Sequence, residues 1–417
     1  MKLQLIQQEE EDAIILAHLL RQRGVRIEQR RRRFWVRPWI LRRELFGNYD
    51  NLMVELARES EGDFTNYMRM EPCMFRELLD RIGPRVQKQN THLRPALPPG
   101  LKLAITLRYI ASGDSYHSLS YSFRVPHNTI SLIVKEVSEA IVAELEPEVF
   151  NFPTSQQQWL DVAEKFENRW NFPHTCGAID GKHIAIMAPS NSGTLYHNYK
   201  GFFSIILLAL VDADYKFMYA NVGANGSTSD CAVFNVSPLY AALDSGEIGF
   251  PDPQPLPHDD MDTKYFLIGD DAFPLRSWMM KPFSQRHLKK EERIFNYRLS
   301  RARRIVENAF GILANRFRCL LSTMMQEPET VKTIVTAALC LHNLMRIRYP
   351  GMQNMDMDHE GPNHEIIPGA WRLEAVLQDV HGVVRGNVAT RQGKQQRIYL
   401  KHYYNTVGSV DWQDNMI

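Results

Sequence analysis

The feature that most constrains this chain is the stretch Phe203 to Val211, whose uninterrupted apolar part is Ile205-Ile206-Leu207-Leu208-Ala209-Leu210-Val211. Such a run fits a strand covered on both faces. It falls far short of the roughly 20 residues a membrane helix needs, and no longer apolar run exists, so the chain is expected to have no membrane span. Asp212-Ala213-Asp214 then offers a turn, because short Asp side chains bond their own backbone in turns. Phe217 to Val222 reads as the returning strand.

Around this hairpin the pattern supplies three more short apolar strands: Cys176 to Asp180, His183 to Met187, and Tyr265 to Gly269. A helix is expected over Asp230 to Leu243, with Ser229 as its cap. A long amphipathic helix is expected over Asn296 to Phe317, with the stripe Leu299, Ala302, Val306, Ala309, Phe310, Leu313 and Phe317, and another over Thr330 to Arg346. Strands and helices in this order predict an α/β layer fold over residues 165–348.

Residues 61–150 read as helical. Met74, Leu78, Leu79 and Ile82 make one apolar stripe that Pro84 closes, and Pro98-Pro99-Gly100 separates it from the next. A short helix from Tyr116 to Phe123, a turn at Arg124 to Asn128, and a longer helix from Thr129 to Leu145 capped by Asn128 make a helix-turn-helix. Its second helix would present His127, Asn128, Thr129, Ser131 and Lys135 to a DNA major groove. A plain helical hairpin has the same pattern. Glu146-Pro147 is read as the start of a connector that runs to Trp170. Residues 1–60 form a basic N-terminal helix and arm: residues 9–33 look helical and pass into an Arg-rich segment with Phe34, Trp35 and Trp39 interleaved. Arg30 to Arg33 serve either phosphate contact or nuclear import. No secretory signal is read at the N-terminus. The tail, 349–417, is expected to be partly ordered, with Ala370 to Asp379 as its helix.

Net charge is +1, but its distribution is uneven. Ten arginines stand against one acid between Arg21 and Arg43, and eleven Lys or Arg against three acids between Lys281 and Arg318. Two such blocks on a near-neutral chain point either to a polyanionic partner or to solvated faces. Cys73, Cys176, Cys231, Cys319 and Cys340 are scattered and never spaced as CxxC, which excludes a disulfide framework and a structural zinc motif.

Three carboxylates stand in unusual places. Asp180 ends a short apolar strand, Asp270 ends a buried one, and Glu307 lies beside the apolar stripe of the long helix. Carboxylates at a core edge lose solvation and need cations or hydrogen-bond donors. Three that converge form a hard-oxygen pocket for Mg²⁺ or Mn²⁺, and a pair of such ions supports phosphodiester hydrolysis. Each acid also has a local use: Asp180-Gly181 as a turn, Asp270 or Asp271 as a helix cap, Glu307 as a partner of Arg303 one helical turn earlier. Asp230 is the fourth candidate, and Asp212 and Asp214 are read as turn formers.

Five segments carry a resemblance. They are Gly177 to Ile184 (GAIDGKHI), Val211 to Phe217 (VDADYKF), Gly223 to Asp230 (GANGSTSD), Gly269 to Leu275 (GDDAFPL) and Phe295 to Gly311 (FNYRLSRARRIVENAFG). In this order they resemble the PIF/Harbinger superfamily of DDE transposases, and within it the Harbinger transposase-derived nucleases, over residues 95 to 345. The resemblance implies a ribonuclease-H-like catalytic domain, with a mixed sheet flanked by helices, preceded by a helix-turn-helix. It also implies catalytic, metal-holding roles for Asp180, Asp270 and Glu307, and DNA as substrate. Spacings of 89 residues between the first pair and 36 between the second suit it. Lys182, His183, Arg303 and Arg304 are the candidates for holding phosphate. The family further implies a Myb-like DNA-binding partner. Self-association as a homo-oligomer is also expected, as is residence in the nucleus, with the cytoplasm as the other compartment. The competing readings are a catalytically silent, domesticated DNA-binding or chromatin protein and an RNA-cutting hydrolase.

Overall fold

A computed structural model describes residues 36–92, 95–284, 287–349, 358–373, 376–380 and 389–417. The helix expected over 9–33, the Phe34-Trp35 segment and the four arginines at 30–33 lie outside them. Among the described residues, seven helices of six or more residues come first: α1 (Leu52–Glu59), α2 (Glu61–Met68), α3 (Pro72–Val86), α4 (Pro99–Ser112), α5 (Tyr116–Phe123), α6 (His127–Val149) and α7 (Gln156–Trp170). Then come strands β1 (Thr175–Ala185), β2 (Ser204–Val211) and β3 (Phe217–Asn225), helices α8 (Asp230–Asn235) and α9 (Pro238–Ser245), and strands β4 (Phe266–Ile268) and β5 (Met279–Met280). The long helices α10 (Lys290–Arg316) and α11 (Pro328–Arg348) follow, and the chain returns with β6 (Gln378–Asp379) and α12 (Arg391–Tyr404). No helix among the described residues is long and apolar enough to cross a membrane.

The sheet is mixed, in the order β3-β2-β1-β4-β5, with β6 also pairing β1. β2 is antiparallel to both β1 and β3, whereas β4 runs parallel to β1. Every residue of β2 is buried because each face has its own core. Ile205, Leu207, Ala209 and Val211 face α10 and α11, in a continuous core that extends through α6 and α4. Ile206, Leu208 and Leu210 face Trp159 of α7 and Phe234 of α8. A period of two with apolar residues in both phases gives this outcome.

Several elements differ from expectation. The two strands expected at 176–180 and 183–187 are one strand, β1, so Asp180 sits within it rather than at its end. Gly177, at φ +148°, absorbs a register shift between Thr175 and Ala178. α6 begins at His127 with Pro126 at its N-cap, which leaves Asn128 inside the first turn and not capping. Pro147 sits inside α6, which runs on to Val149. The connector expected from 146 to 170 contains α7. That helix was legible: Ser155 and Gln158 form a reciprocal capping box, and Trp159, Ala163, Phe166 and Trp170 repeat at helical spacing. The helix expected over 230–243 breaks at Ser237-Pro238.

The tail departs most. No helix spans Ala370 to Asp379; Ala370–Leu373 is a single 3₁₀ turn and Gln378-Asp379 is β6. Among the described residues of the tail, the regular helix is α12, capped by Thr390, with Leu400, Tyr403 and Tyr404 buried and the Tyr404 ring stacked 4.9 Å from that of Phe172. The arginines of α10 explain the anchorage. Arg298 donates to Asn171 O at 2.5 Å and Gln413 Oε1 at 2.9 Å, and Arg301 donates to Trp170 O at 2.6 Å and pairs with Glu360. Both guanidiniums are buried, so part of the second basic block fastens the tail to the core instead of facing a polyanion.

Candidate active site

Register alone brings two acids together. β1 and β4 pair Ala178 with Ile268. Two residues further along both chains stand Asp180 and Asp270, on the same face because side chains alternate. β4 stops at Ile268, and β6 takes up the same edge of β1 only at Lys182. The edge beside Asp180 lies between these two pairings.

Asp230 enters there from α8. The Ser229 hydroxyl caps that helix by accepting from Ala232 N at 3.3 Å, as the sequence predicts, which fixes Asp230 in the first turn. Asp230 packs over Gly181, where a Cβ would stand 2.9 Å from the Cβ of Asp230. Gly181 is therefore a place of close approach inside a strand, not a turn. One carboxylate oxygen each from Asp180, Asp230 and Asp270 lie within 4.8 Å of one another. Asp230 Oδ1 accepts from Cys231 N at 2.7 Å, and Asp270 Oδ1 accepts from Ala272 N at 3.0 Å. Asp230 Oδ2 is buried with no hydrogen-bond partner among the described residues. Asp271 is exposed.

The electrostatics follow from crowding. Burial, then the charges of Asp270 and Asp180, push the Asp230 carboxyl up to about 8. Burial and then Asp180 push Asp270 up to about 6. Like charges held this close in a dry site resist joint ionisation. Two cations answer them. Lys182 Nζ lies 2.9 Å from Asp180 Oδ2 and is also paired with Asp379 of β6. Burial works against that ammonium, but the two aspartates outweigh it and hold its pKa above the ordinary lysine value. Arg303 Nη1 is 4.0 Å from Asp180 Oδ1. An all-oxygen trio with one orphaned buried oxygen fits a hard divalent cation, which would relieve the repulsion that raises the two carboxyls.

Glu307 is placed differently. It lines the same cavity of about 410 Å³ as Asp180 and Asp270, but it is not in the trio of mutually close acids. Arg303 Nη2 donates to its Oε1 at 2.7 Å, and Arg372 Nη2 stands 3.6 Å from its Oε2. Arg303 thus stands between Asp180 and Glu307, and the local pairing open in the sequence is made. The far wall of the cavity is the returning tail: Trp371, Arg372, Val376, Leu377 and Asp379. Sequence reasoning missed these residues. One signal was available in Gly311, a glycine inside an amphipathic helix, where a Cβ would meet the Trp371 ring at 2.4 Å.

The phosphate candidates divide. Lys182 and Arg303 line the cavity, both engaged by carboxylates. His183, 2% exposed, points off the cavity side of β1, with Nδ1 2.9 Å from Ser204 Oγ. Arg304 is buried and lies 4.0 Å from Glu360, away from the cavity; neither is placed to meet a phosphate there. On α6, Asn128 and Lys135 are exposed and Thr129 is half-buried.

A family model described as DDE superfamily endonuclease matches residues 179–343, a span that contains all four acids. The Homo sapiens protein named "Putative nuclease HARBI1" is 27% identical over 270 residues, 64% of this chain and 72% of its own. The Xenopus laevis protein of the same name is 26% identical over 329 residues, 78% and 86% of the two chains. "Protein ALP1-like" of Arabidopsis thaliana is 26% identical over 247 residues, 58% and 60%. No solved structure matches the chain. The resemblance carried by the five sequence segments is borne out: the chain has a DDE superfamily endonuclease domain and is related to the PIF/Harbinger-derived proteins of that superfamily.

Proposed function

We propose that the chain is a metal-dependent DNA endonuclease of the DDE type, a transposase or transposase-derived nuclease with a ribonuclease-H-like catalytic domain. The observation that carries this reading is the trio Asp180, Asp230 and Asp270, within 4.8 Å of one another around a buried oxygen that no described donor satisfies. These residues would hold divalent ions, Mg²⁺ or Mn²⁺, with Glu307 joining them from α10. Bound as a pair, such ions supply an ionised water and charge stabilisation at the phosphate. The protein's own part is positional. The sheet fixes Asp180 and Asp270 by register, α8 fixes Asp230, and Lys182 and Arg303 bring positive charge to the cavity wall where a phosphate would lie.

DNA is the proposed substrate. The α5–α6 pair, with Asn128, Thr129 and Lys135 on its second helix, is the proposed sequence-reading element. A Myb-like partner, self-association and a nuclear location accompany this reading. The test is plasmid cleavage in Mg²⁺ by wild type and Asp180→Ala. Loss of cleavage in the variant supports the site, and equal cleavage by both removes it.

A second reading is a catalytically silent DNA-binding protein, favoured by the two guanidiniums that already neutralise Glu307. DNA binding that needs no metal, without cleavage of any substrate, would support it.

A further inference from the structure

The tail is part of the cavity. After α11 the chain returns past α10, and the described segment 358–373 lies against that helix: Asn308 Nδ2 reaches Asp358 O at 3.4 Å, and Trp371 Nε1 donates to Asn308 Oδ1 at 3.1 Å. This places Trp371 over Gly311, one turn past Glu307 on the helix. Arg372 is held by a bidentate pair with Asp358. Asp358, whose side chain is fully buried, accepts from Arg372 Nε at 2.9 Å and from its Nη2 at 2.6 Å, and is itself anchored by Gly369 N at 2.9 Å. From that anchored position the guanidinium faces Glu307 Oε2 at 3.6 Å.

We infer that Arg372 is a positioning residue that keeps Glu307 in a resting place apart from the three aspartates, and that cation entry exchanges this guanidinium for the metal. The inference rests on the reading of the trio as a metal site. Glu307 has two cationic neighbours of different kinds. Arg303 lies on its own helix and leans toward Asp180 as well, so it follows Glu307 and the acids together. Arg372 comes from outside the span matched by the endonuclease family model and draws Glu307 toward the tail. A carboxylate cannot fully serve a guanidinium and a metal ion at once, so the two compete for it. By linkage, the Arg372 contact weakens metal binding by the same factor by which bound metal weakens that contact.

The experiment is calorimetric titration of Mn²⁺ into the full chain, without nucleic acid. Arg372→Gln is expected to tighten binding about three- to fivefold, the scale of a partly exposed ion pair. In an E307Q background the same change is expected to do nothing, because the competition acts through Glu307. A simple loss of positive charge near the site would tighten binding in both backgrounds, and that outcome overturns the inference. Equal affinity of R372Q and wild type overturns it as well. D180N separates the two levels. If wild type binds and D180N does not, the site reading stands, and the R372Q result judges Arg372 alone. If D180N binds Mn²⁺ as wild type does, or wild type binds none, the site reading fails and takes the inference with it. Should R372Q melt early because Asp358 is left buried without its partner, the pair D358N/R372Q removes both charges and carries the same expectation.

Discussion

Replacing Asp230 by Asn should stabilise the metal-free protein, and more so as pH rises. The Asp230 carboxyl is raised from 3.8 to about 8, by burial first and then by Asp270 and Asp180. The sign follows from linkage. Below about pH 4 the group is protonated in both folded and unfolded chains and contributes nothing. Between there and about pH 8 the unfolded chain releases the proton and the folded one keeps it, so stability falls as pH rises. Above about pH 8 the loss is complete. At 1.36 kcal/mol per pH unit, the full shift sets a ceiling of roughly 5 to 6 kcal/mol. Relaxation around buried charges brings the effective dielectric nearer 20 than 4, which lowers the working figure to about 2 to 3 kcal/mol. Asn has the shape of Asp, carries no charge, and can donate to either neighbouring carboxylate. The assay is urea denaturation with a chelator, at about pH 5 and about pH 8. The variant should exceed wild type by about 2 to 3 kcal/mol at the higher pH and by under about 1 kcal/mol at the lower. Adding Mg²⁺ should then raise wild-type stability more than that of the variant, because only a folded, charged trio binds it well. A difference that does not change with pH, or a variant less stable than wild type at pH 8, would refute the account of a crowded, strained acid trio.

Two further perturbations probe how the site is built. Gly181→Ala places a methyl group 2.9 Å from the Asp230 Cβ; denaturation should show a loss of about 1 to 3 kcal/mol and titration a roughly tenfold weaker hold on Mn²⁺, and unchanged values would show that the close approach is unimportant. Arg301→Ala removes the bonds to Glu360, Trp170 O and Asn171 Oδ1; it should lower stability by about 3 kcal/mol and speed limited proteolysis beyond residue 349, and wild-type resistance would refute the role of α10 arginines as tail anchors.

Much of the α/β layer was legible from the chain itself. The apolar run at Ile205 to Val211 has only one good solution, a strand buried on both faces, and the structure shows that strand with a core on each side. The Asp212 turn is equally local: its Oδ1 accepts from Asp214 N and Lys216 N within five residues of chain. The stripe of α10 and the acid that follows β4 were readable for the same reason. Period, turn chemistry and flanking residues act over a few positions, and the sequence displays those positions side by side.

Which side chains meet was a different matter. Asp230 was a lesser candidate from its place after a cap, yet it joins Asp180 and Asp270 because Gly181 lacks a side chain 49 residues earlier. Glu307 was a primary candidate, yet two guanidiniums hold it apart, one of them 65 residues later in the chain. Lys182 meets Asp379 across 197 residues. Arginines that look like a DNA-facing block prove to include buried anchors, because their fate depends on which backbone carbonyls happen to face them. Sequence by itself determined the central hairpin, the stripe of α10 and the stock of acids. Tertiary structure alone decided which acids share a space and which cations guard them, since burial and repulsion exist only after distant segments have packed.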